Sequence, residues 1–258
     1  MHHDILPGFE ATDDHVAAFA VYTSGTTGRP KGVLHEVGNL VRMSPSAHFY
    51  EGGRFPTFER CASLALLNFV ASITVIMVCL CEKDVRNYIV SYDTIKNYGS
   101  LAKFFLVNRI HCTFLTPSYA RKLGGNTGPF LCLILLSSEP ANNTFIKKVD
   151  MVNLYASSES GFVITSFKLD KPYENCPIGK PLLDVNLCLL DEDGNEVPDG
   201  EIGELCFDNR YFRGYINLPE ETARKGTTHR LKAGGFHGLK PKPSTESRLF
   251  PAKAVVKH

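Results

Sequence analysis

The chain has 258 residues, 43% apolar and 21% charged, with 28 Lys and Arg against 27 Asp and Glu. That balance belongs to a globular protein with a sizeable core and excludes a disordered or collagen-like chain. A net charge of +1 gives no general electrostatic basis for a nucleic-acid partner. The 8 Cys contain no Cys-x-x-Cys pair and are too sparse for a disulfide scaffold, so reduced, mostly buried thiols in a cytoplasmic protein are expected.

Met1 to Glu10 lacks the basic start and apolar stretch of a signal peptide. Val16 to Tyr22 reads as a short strand running into a Gly-rich loop, and His35 to Ser44 as a helix that Pro45 stops. Cys61 to Cys81 is uncharged and long enough to cross a bilayer, but Ser63, Asn68, Ser72 and Thr74 interrupt it and no second span exists. A buried strand, a turn at Leu67 to Val70 and a buried helix explain the same run, and no membrane partner is expected. Tyr88 to Ser91 reads as a strand and Ser100 to Arg109 as an amphipathic helix. His111 to Leu115 reads as a strand ended by Thr116-Pro117, Leu131 to Leu136 as a strand buried on both faces, and Val152 to Tyr155 as another strand.

This alternation predicts an α/β fold, a mostly parallel sheet flanked by helices, over residues 1–182. Residues 183–230 read as a small antiparallel β unit, with strands at Val185 to Leu190 and Glu204 to Phe207 around the turn Asp191 to Gly194. That acidic turn lacks the remaining ligands of a calcium loop. Residues 231–258 carry six basic residues against one acid, Glu246, together with Pro241, Pro243 and Pro251, and are expected to be an unstructured or non-native tail.

The segment Tyr22 to Gly32, YTSGTTGRPKG, carries the chemistry. Its glycines let the backbone approach an anion so that N–H groups face it. Its hydroxyls donate further hydrogen bonds, and Lys31 adds a compact positive charge. A helix expected after the loop would add its N-terminus to the anion site. The loop is not a Walker loop, because Gly-Lys-Ser/Thr is absent.

This segment resembles the phosphate loop of the adenylate-forming (AMP-dependent synthetase/ligase) superfamily. Asn153-Leu154-Tyr155-Ala156-Ser157-Ser158-Glu159, Ile178-Gly179-Lys180-Pro181, and Gly203-Glu204-Leu205 with Arg213-Gly214-Tyr215, Asn217, Pro219-Glu220 and Thr222 resemble further motifs in order and spacing. The last two are most like the adenylation domains of nonribosomal peptide synthetases. The resemblance implies a partial N-terminal domain of that family and a ligase activity: formation of an acyl adenylate from a small carboxylic acid and ATP with Mg²⁺. Transfer of the acyl group to a phosphopantetheine thiol on a carrier protein would follow. It implies that Thr23, Ser24, Gly25, Thr26, Thr27, Gly28 and Lys31 hold the β- and γ-phosphates. Ser158 would bind the α-phosphate, Glu159 the metal, and Tyr155 and Ser138 would lie at adenine. Lys31, Ser158 and Glu159 are the implied catalytic residues.

The resemblance places Val70, Ala71 and Thr74 of one element around the acid, with Phe114, Leu136, Leu154, Phe162 and Val163. Val70 stands where the family carries an Asp that pairs with an α-ammonium, so an ordinary α-amino acid is disfavoured and a hydrophobic acyl or aryl acid suits the wall. Ser137-Ser138-Glu139 replaces the usual Gly-Gly-Glu, and no Thr-Gly-Asp follows His229-Arg230. Two readings follow: an acid-activating enzyme of a peptide-synthetase-like system, or a non-catalytic fragment or pseudoenzyme of the same family.

Overall fold

The computed structural model describes residues 13–23, 29–43, 58–82, 84–182, 185–191, 193–198, 203–208, 211–227 and 230–237. The chain opens with β1 (Ala17–Thr23), β2 (Lys31–Glu36) and α1 (Val37–Arg42). The central part runs β3 (Arg60–Ser63), α2 (Val70–Cys81), β4 (Arg86–Ile89), α3 (Tyr92–Lys96), α4 (Tyr98–Val107), β5 (Cys112–Leu115) and α5 (Pro117–Leu123). It continues with β6 (Leu133–Leu136), β7 (Asp150–Ala156), β8 (Val163–Leu169) and β9 (Lys180–Pro181). The last elements are β10 (Leu187–Leu190), β11 (Glu204–Phe207), β12 (Phe212–Tyr215), α6 (Pro219–Lys225), β13 (Gly226–Thr227) and β14 (Arg230–His237).

The fold is mixed α/β. A seven-stranded sheet has the order β4-β3-β5-β6-β7-β8-β9, parallel from β4 to β7 and antiparallel from there to β9. The continuous apolar run in β6 has the meaning expected of it. Ile134 and Leu136 enter a core shared with Leu101 and Phe105 of α4, while Leu133 and Leu135 enter one shared with Val75 and Val78 of α2. Opposite faces of one strand are thus covered by different helices. Local chemistry sets the helix starts: Asn97 accepts from Ser100 N at α4, and Thr116 accepts from Tyr119 N at α5, where Pro117 opens the helix. Topology matters for the site. The chain passes from β3 outward to β4, then returns to the other side of β3 to form β5, so the connections diverge between β3 and β5.

The uncharged run from Cys61 resolves into β3, a turn and α2, and no helix among the described residues is long and apolar enough to cross a membrane. α2 is not fully buried as expected: Ile76 and Leu80 are exposed, because only one side of the helix meets the sheet. All eight cysteines are free and five are buried.

Three expectations are corrected. The Gly-rich loop is followed by a strand, not a helix, and His35 lies in β2. β2 is paired on both edges, with β1 and with β12, and that double ladder holds it extended. Second, β12 does not join the small antiparallel unit: it completes the three-stranded sheet β1-β2-β12, linking residues from either side of position 183. Third, the segment after Leu231 begins as β14, which pairs with β11 and β13 in the separate antiparallel sheet β10-β11-β14-β13. The prolines that argued against order all lie beyond His237, so every residue of β14 can donate to a ladder. Residues 238–258 lie outside the described residues.

Two tight contacts fix the sheet edge that carries the candidate site. Gly179 has φ +92, and a Cβ there would stand 1.8 Å from the carbonyl oxygen of Ser166. Ile178 O accepts from Thr165 Oγ1 at 2.6 Å and Pro177 O from Asn153 Nδ2 at 2.8 Å. The Ile-Gly-Lys-Pro segment therefore closes onto β7 and β8. His35 is the second contact. It is fully buried, donates from Nε2 to Ser158 O at 2.7 Å, accepts from Asn39 Nδ2 at 2.7 Å on Nδ1, and stacks on Phe19. Those partners select the neutral ring, and burial lowers its pKa to about 4, against smaller opposing effects from the Ser158 hydrogen bond and Glu159.

Gly179→Ala is expected to cost about 3 kcal/mol or more, since a positive φ and a backbone collision act together; its urea midpoint, compared with that of the parent, tests this. The depressed His35 pKa makes the unfolded chain the better proton binder between about pH 6.5 and 4. Stability contributed by this residue is therefore complete above about pH 6.5 and declines as pH falls toward 4, by roughly 3 kcal/mol in total. Urea titrations from pH 7.5 to 4.5 should show this slope, and His35→Gln should flatten it.

Candidate active site

The hairpin places Thr23 at the end of β1 directly opposite Lys31 at the start of β2. Ser24, Gly25, Thr26, Thr27 and Gly28 lie outside the described residues. Lys31 is largely buried, and its Nζ donates to Glu221 Oε2 at 2.6 Å while standing 5.5 Å from the centre of the Tyr215 ring. Tyr215 in turn donates from its hydroxyl to Glu159 Oε1 at 2.6 Å. Lys31 and Glu159, far apart in sequence, thus meet through one aromatic side chain. Burial, then the Glu159 hydrogen bond, raises the Tyr215 phenol well above its ordinary pKa, so it stays a donor.

The turn after β7 is self-bracing. Ser157 N donates to Ser160 Oγ at 3.0 Å, Ser160 N donates to Ser157 Oγ at 3.1 Å, and Ser160 Oγ donates to carbonyls of Ser157 and Phe162. Gly161 has φ +70, and a Cβ there would stand 2.8 Å from the His35 ring. Ser158 and Glu159 are therefore held at fixed positions, with the Ser158 carbonyl taken by His35. The motif downstream has the same logic. Tyr215 N donates to Thr222 Oγ1 at 2.9 Å, and Thr222 Oγ1 donates to Leu218 O at 2.9 Å. Gly214, at φ +116, leaves room for Thr222. α6 is thereby fastened to β12, and this brings Glu221 to Lys31.

Tyr155 is the penultimate residue of β7, half-buried against the cluster of Phe162 and Ile164, and burial pushes its phenol up. Ser138 follows β6, exposed, with φ 75, a backbone state that costs a non-glycine residue of order 1 kcal/mol. Glu139 is occupied with Ser118, accepting from its N at 3.0 Å and its Oγ at 2.9 Å.

The residues predicted around the acid do not converge on one space. Leu136, Leu154, Phe162 and Val163 are buried in the core, because the inward faces of β6 to β8 are already filled by helices and by the small sheet. Thr74 is buried and donates to Val70 O at 3.2 Å, while Val70 packs against Val21, Val33 and Tyr215. Ala71, Phe114 and Ser138 do border a common cavity, of about 140 Å³, at the C-terminal ends of β3, β5 and β6. Sequence reading missed His35, Asn39 and Glu221. His35 was assigned to a helix and left without a role. Glu221 fills the variable place between Pro219-Glu220 and Thr222.

Chemically, the arrangement offers one ammonium, one partly open carboxylate and a phenol donor at the mouth of a hydroxyl-rich loop. No group of three His, Cys, Asp or Glu that could hold a metal occurs among the described residues. A lone carboxylate is still the usual protein share of a Mg²⁺ site in which substrate phosphates supply the other anionic oxygens.

Residues 7–216 match the family of AMP-binding enzymes. Bacitracin synthase 1 of Bacillus licheniformis is 31% identical over 210 residues, covering 81% of this chain and 4% of that protein. Tyrocidine synthase 2 of Brevibacillus parabrevis is 31% identical over 229 residues, covering 86% of this chain and 6% of that protein. The chain thus spans a small fraction of the synthases it matches. Among solved structures, the N-terminal subdomain of Klebsiella oxytoca NpsA in complex with 3-hydroxybenzoyl-AMSN aligns at TM-score 0.70 and 19% identity, over 90% of this chain and 63% of that one. O-succinylbenzoate coenzyme A synthetase of Bacillus subtilis in complex with AMP aligns at TM-score 0.74 and 19% identity, over 93% of this chain and 50% of that one. Those two likenesses concern the fold. The length and position of the family match, together with the motif geometry above, establish that the chain belongs to the AMP-binding enzyme family.

Proposed function

We propose that this chain carries the nucleotide site of a carboxylic-acid-activating ligase, which joins an acid to the α-phosphorus of ATP with release of pyrophosphate, and passes the acyl group to a phosphopantetheine thiol on a carrier protein with release of AMP. The single observation that carries the reading is the Tyr215 bridge, which brings the loop ammonium of Lys31 to Glu159. Attack by a carboxylate on a phosphoryl group crowds negative charge, and preorganised positive charge and donors are what lower that barrier. Lys31, with Thr23 and the loop residues Ser24 to Gly28, would neutralise the β- and γ-phosphates. Ser158 would donate to the α-phosphate. Glu159 would hold Mg²⁺, which supplies charge neutralisation at the phosphates when bound. Tyr155 and Ser138 would flank adenine. Peptide synthases among the relatives, and solved structures holding AMP or an acyl-adenylate analogue, support the same reaction class.

One observation favours a second reading, nucleotide binding without turnover. Glu221 already engages the Lys31 ammonium at 2.6 Å, so phosphate must compete with a protein carboxylate.

ATP–pyrophosphate exchange with a panel of carboxylic acids, beside ATP titration calorimetry, separates the readings: exchange supports the ligase, binding without exchange the second reading. Lys31→Ala is expected to weaken ATP binding at least tenfold, or about 1.4 kcal/mol. An unchanged affinity would remove the loop from the site. Glu221→Gln is expected to tighten ATP binding severalfold, since the ammonium no longer has to leave a carboxylate.

A further inference from the structure

α2 is built the wrong way round for a surface helix. Its only hydroxyls, on Ser72 and Thr74, are buried and donate to backbone carbonyls, Phe69 O at 2.7 Å and Val70 O at 3.2 Å. Val75 and Val78 pack against Cys61, Cys112, Leu133 and Leu135 of the seven-stranded sheet. The opposite side of the helix faces solvent and is apolar. Phe69, at the N-cap, is 56% exposed and Leu80 is 74% exposed, with Ile76 exposed and Ile73 half-buried between them. Leu66 and Leu67, in the turn before the helix, extend the same apolar surface, Leu67 at 75% exposure. A surface helix normally turns polar residues outward, and one that is apolar all round is covered on all sides. Exposed apolar surface of a few hundred Å² in one patch marks an interaction site.

We propose that this face of α2 is the contact surface for a second copy of this chain, the two helices lying antiparallel across a two-fold axis. Phe69, Ile73, Ile76 and Leu80 follow one another at intervals of 4, 3 and 4, the spacing of a helix-packing seam. Those intervals read the same in both directions. A two-fold axis between Ile73 and Ile76 therefore sets Phe69 against Leu80 of the other copy and Ile73 against its Ile76, so the seam complements itself. A self-contact also brings each charge near the axis close to its own image, and Cys61 to Cys81 holds no charge at all; the flanking ones are Arg60 and Glu82. Parallel helices would set Glu82 against Glu82, whereas antiparallel ones hold the two carboxylates at opposite ends and oppose the helix dipoles. A lipid surface suits this face less well, because it calls for Lys or Arg beside the apolar stripe and the run has neither. Two such patches reach only the low end of specific interfaces, ~1,000 Å² in total, so a dissociation constant of order 10 μM is expected. None of these side chains belongs to the nucleotide site, and the proposal stands apart from the adenylation reading.

Sedimentation equilibrium of the full chain between about 1 and 200 μM tests this, with a monomer–dimer equilibrium expected in that range. Leu80→Glu and Phe69→Lys, both at exposed positions, should each weaken dimerisation at least tenfold. Val107→Lys, an equally exposed apolar position at the end of α4, should leave it unchanged. An equimolar mixture of the Leu80→Glu and Phe69→Lys chains should dimerise again, because the antiparallel pairing sets the new carboxylate against the new ammonium and keeps one Phe69–Leu80 contact intact. The proposal is overturned if the chain stays monomeric throughout, if Leu80→Glu and Phe69→Lys dimerise like the parent, or if Val107→Lys weakens association as much as they do. Failure of the mixture to recover overturns the antiparallel pairing. A monomer that instead binds neutral phosphatidylcholine vesicles through Leu80 assigns the face to lipid and overturns the proposal as well.

Discussion

A buried, neutral imidazole joins the two halves of the candidate site. His35 sits on β2, whose first residue is Lys31, and it donates to the carbonyl of Ser158 in the turn that ends in Glu159 and Gly161. The hairpin and the turn belong to different sheets, and the Tyr215–Glu159 hydrogen bond and the packing of Phe19, Leu40 and Met43 with Phe162 and Ile164 join them as well. A protonated ring could not accept from Asn39, and the absence of a side chain at Gly161 leaves room for the ring. Local packing therefore dictates a protonation state, and the protonation state holds the distance between a loop cation and a carboxylate.

The other side of the site is closed by backbone economy. Gly214 permits Thr222 to reach Tyr215 N, and that one hydroxyl ties β12 to the first turn of α6. Tyr215 is then pinned at its backbone and at its hydroxyl, so its ring has little freedom. A donor with so little rotational entropy left to lose suits a site where charge must be met in a fixed geometry. Glu221 acts against this. It comes with the helix that closes the site and is paired with the cation that phosphate would need.

Much of the parallel core was legible in sequence. Runs such as Leu131 to Leu136 allow few alternatives once both faces of a strand must be apolar, and Thr116-Pro117 announces both a strand end and a helix start. The order of the motifs made the family legible as well, because glycines and hydroxyls at those spacings have few other uses. What could not be read was pairing between distant segments. Nothing local to Lys31–Glu36 says that Phe212–Tyr215 will lie beside it, and His35, next to the helix Val37–Arg42, reads equally well as part of that helix. The residues placed around the acid divide for a related reason: Ala71 and Phe114 border a cavity while Leu136, Leu154, Phe162 and Val163 are buried. Alternating apolar residues on β6 to β8 face either a ligand or a helix, and only the helices' positions decide which.

The departures from the family pattern are not independent of one another. An anionic partner at the start of α2 would sit against Val21, Val33 and Tyr215, where it would be buried without a donor from those neighbours. Losing the acid at Val70 therefore favours the apolar packing that steadies Tyr215, and Tyr215 steadies Glu159. At Ser138 the exchange runs the other way. A serine in a left-handed backbone stores strain but adds a hydroxyl at the lip of an uncharged cavity that Thr116, Tyr119 and Ser137 also line. An uncharged wall, a hydroxyl at its rim and a braced carboxylate beyond it form one gradient of polarity along the sheet edge. Under the proposed function, such a gradient would orient an acid with an apolar body and a carboxylate head.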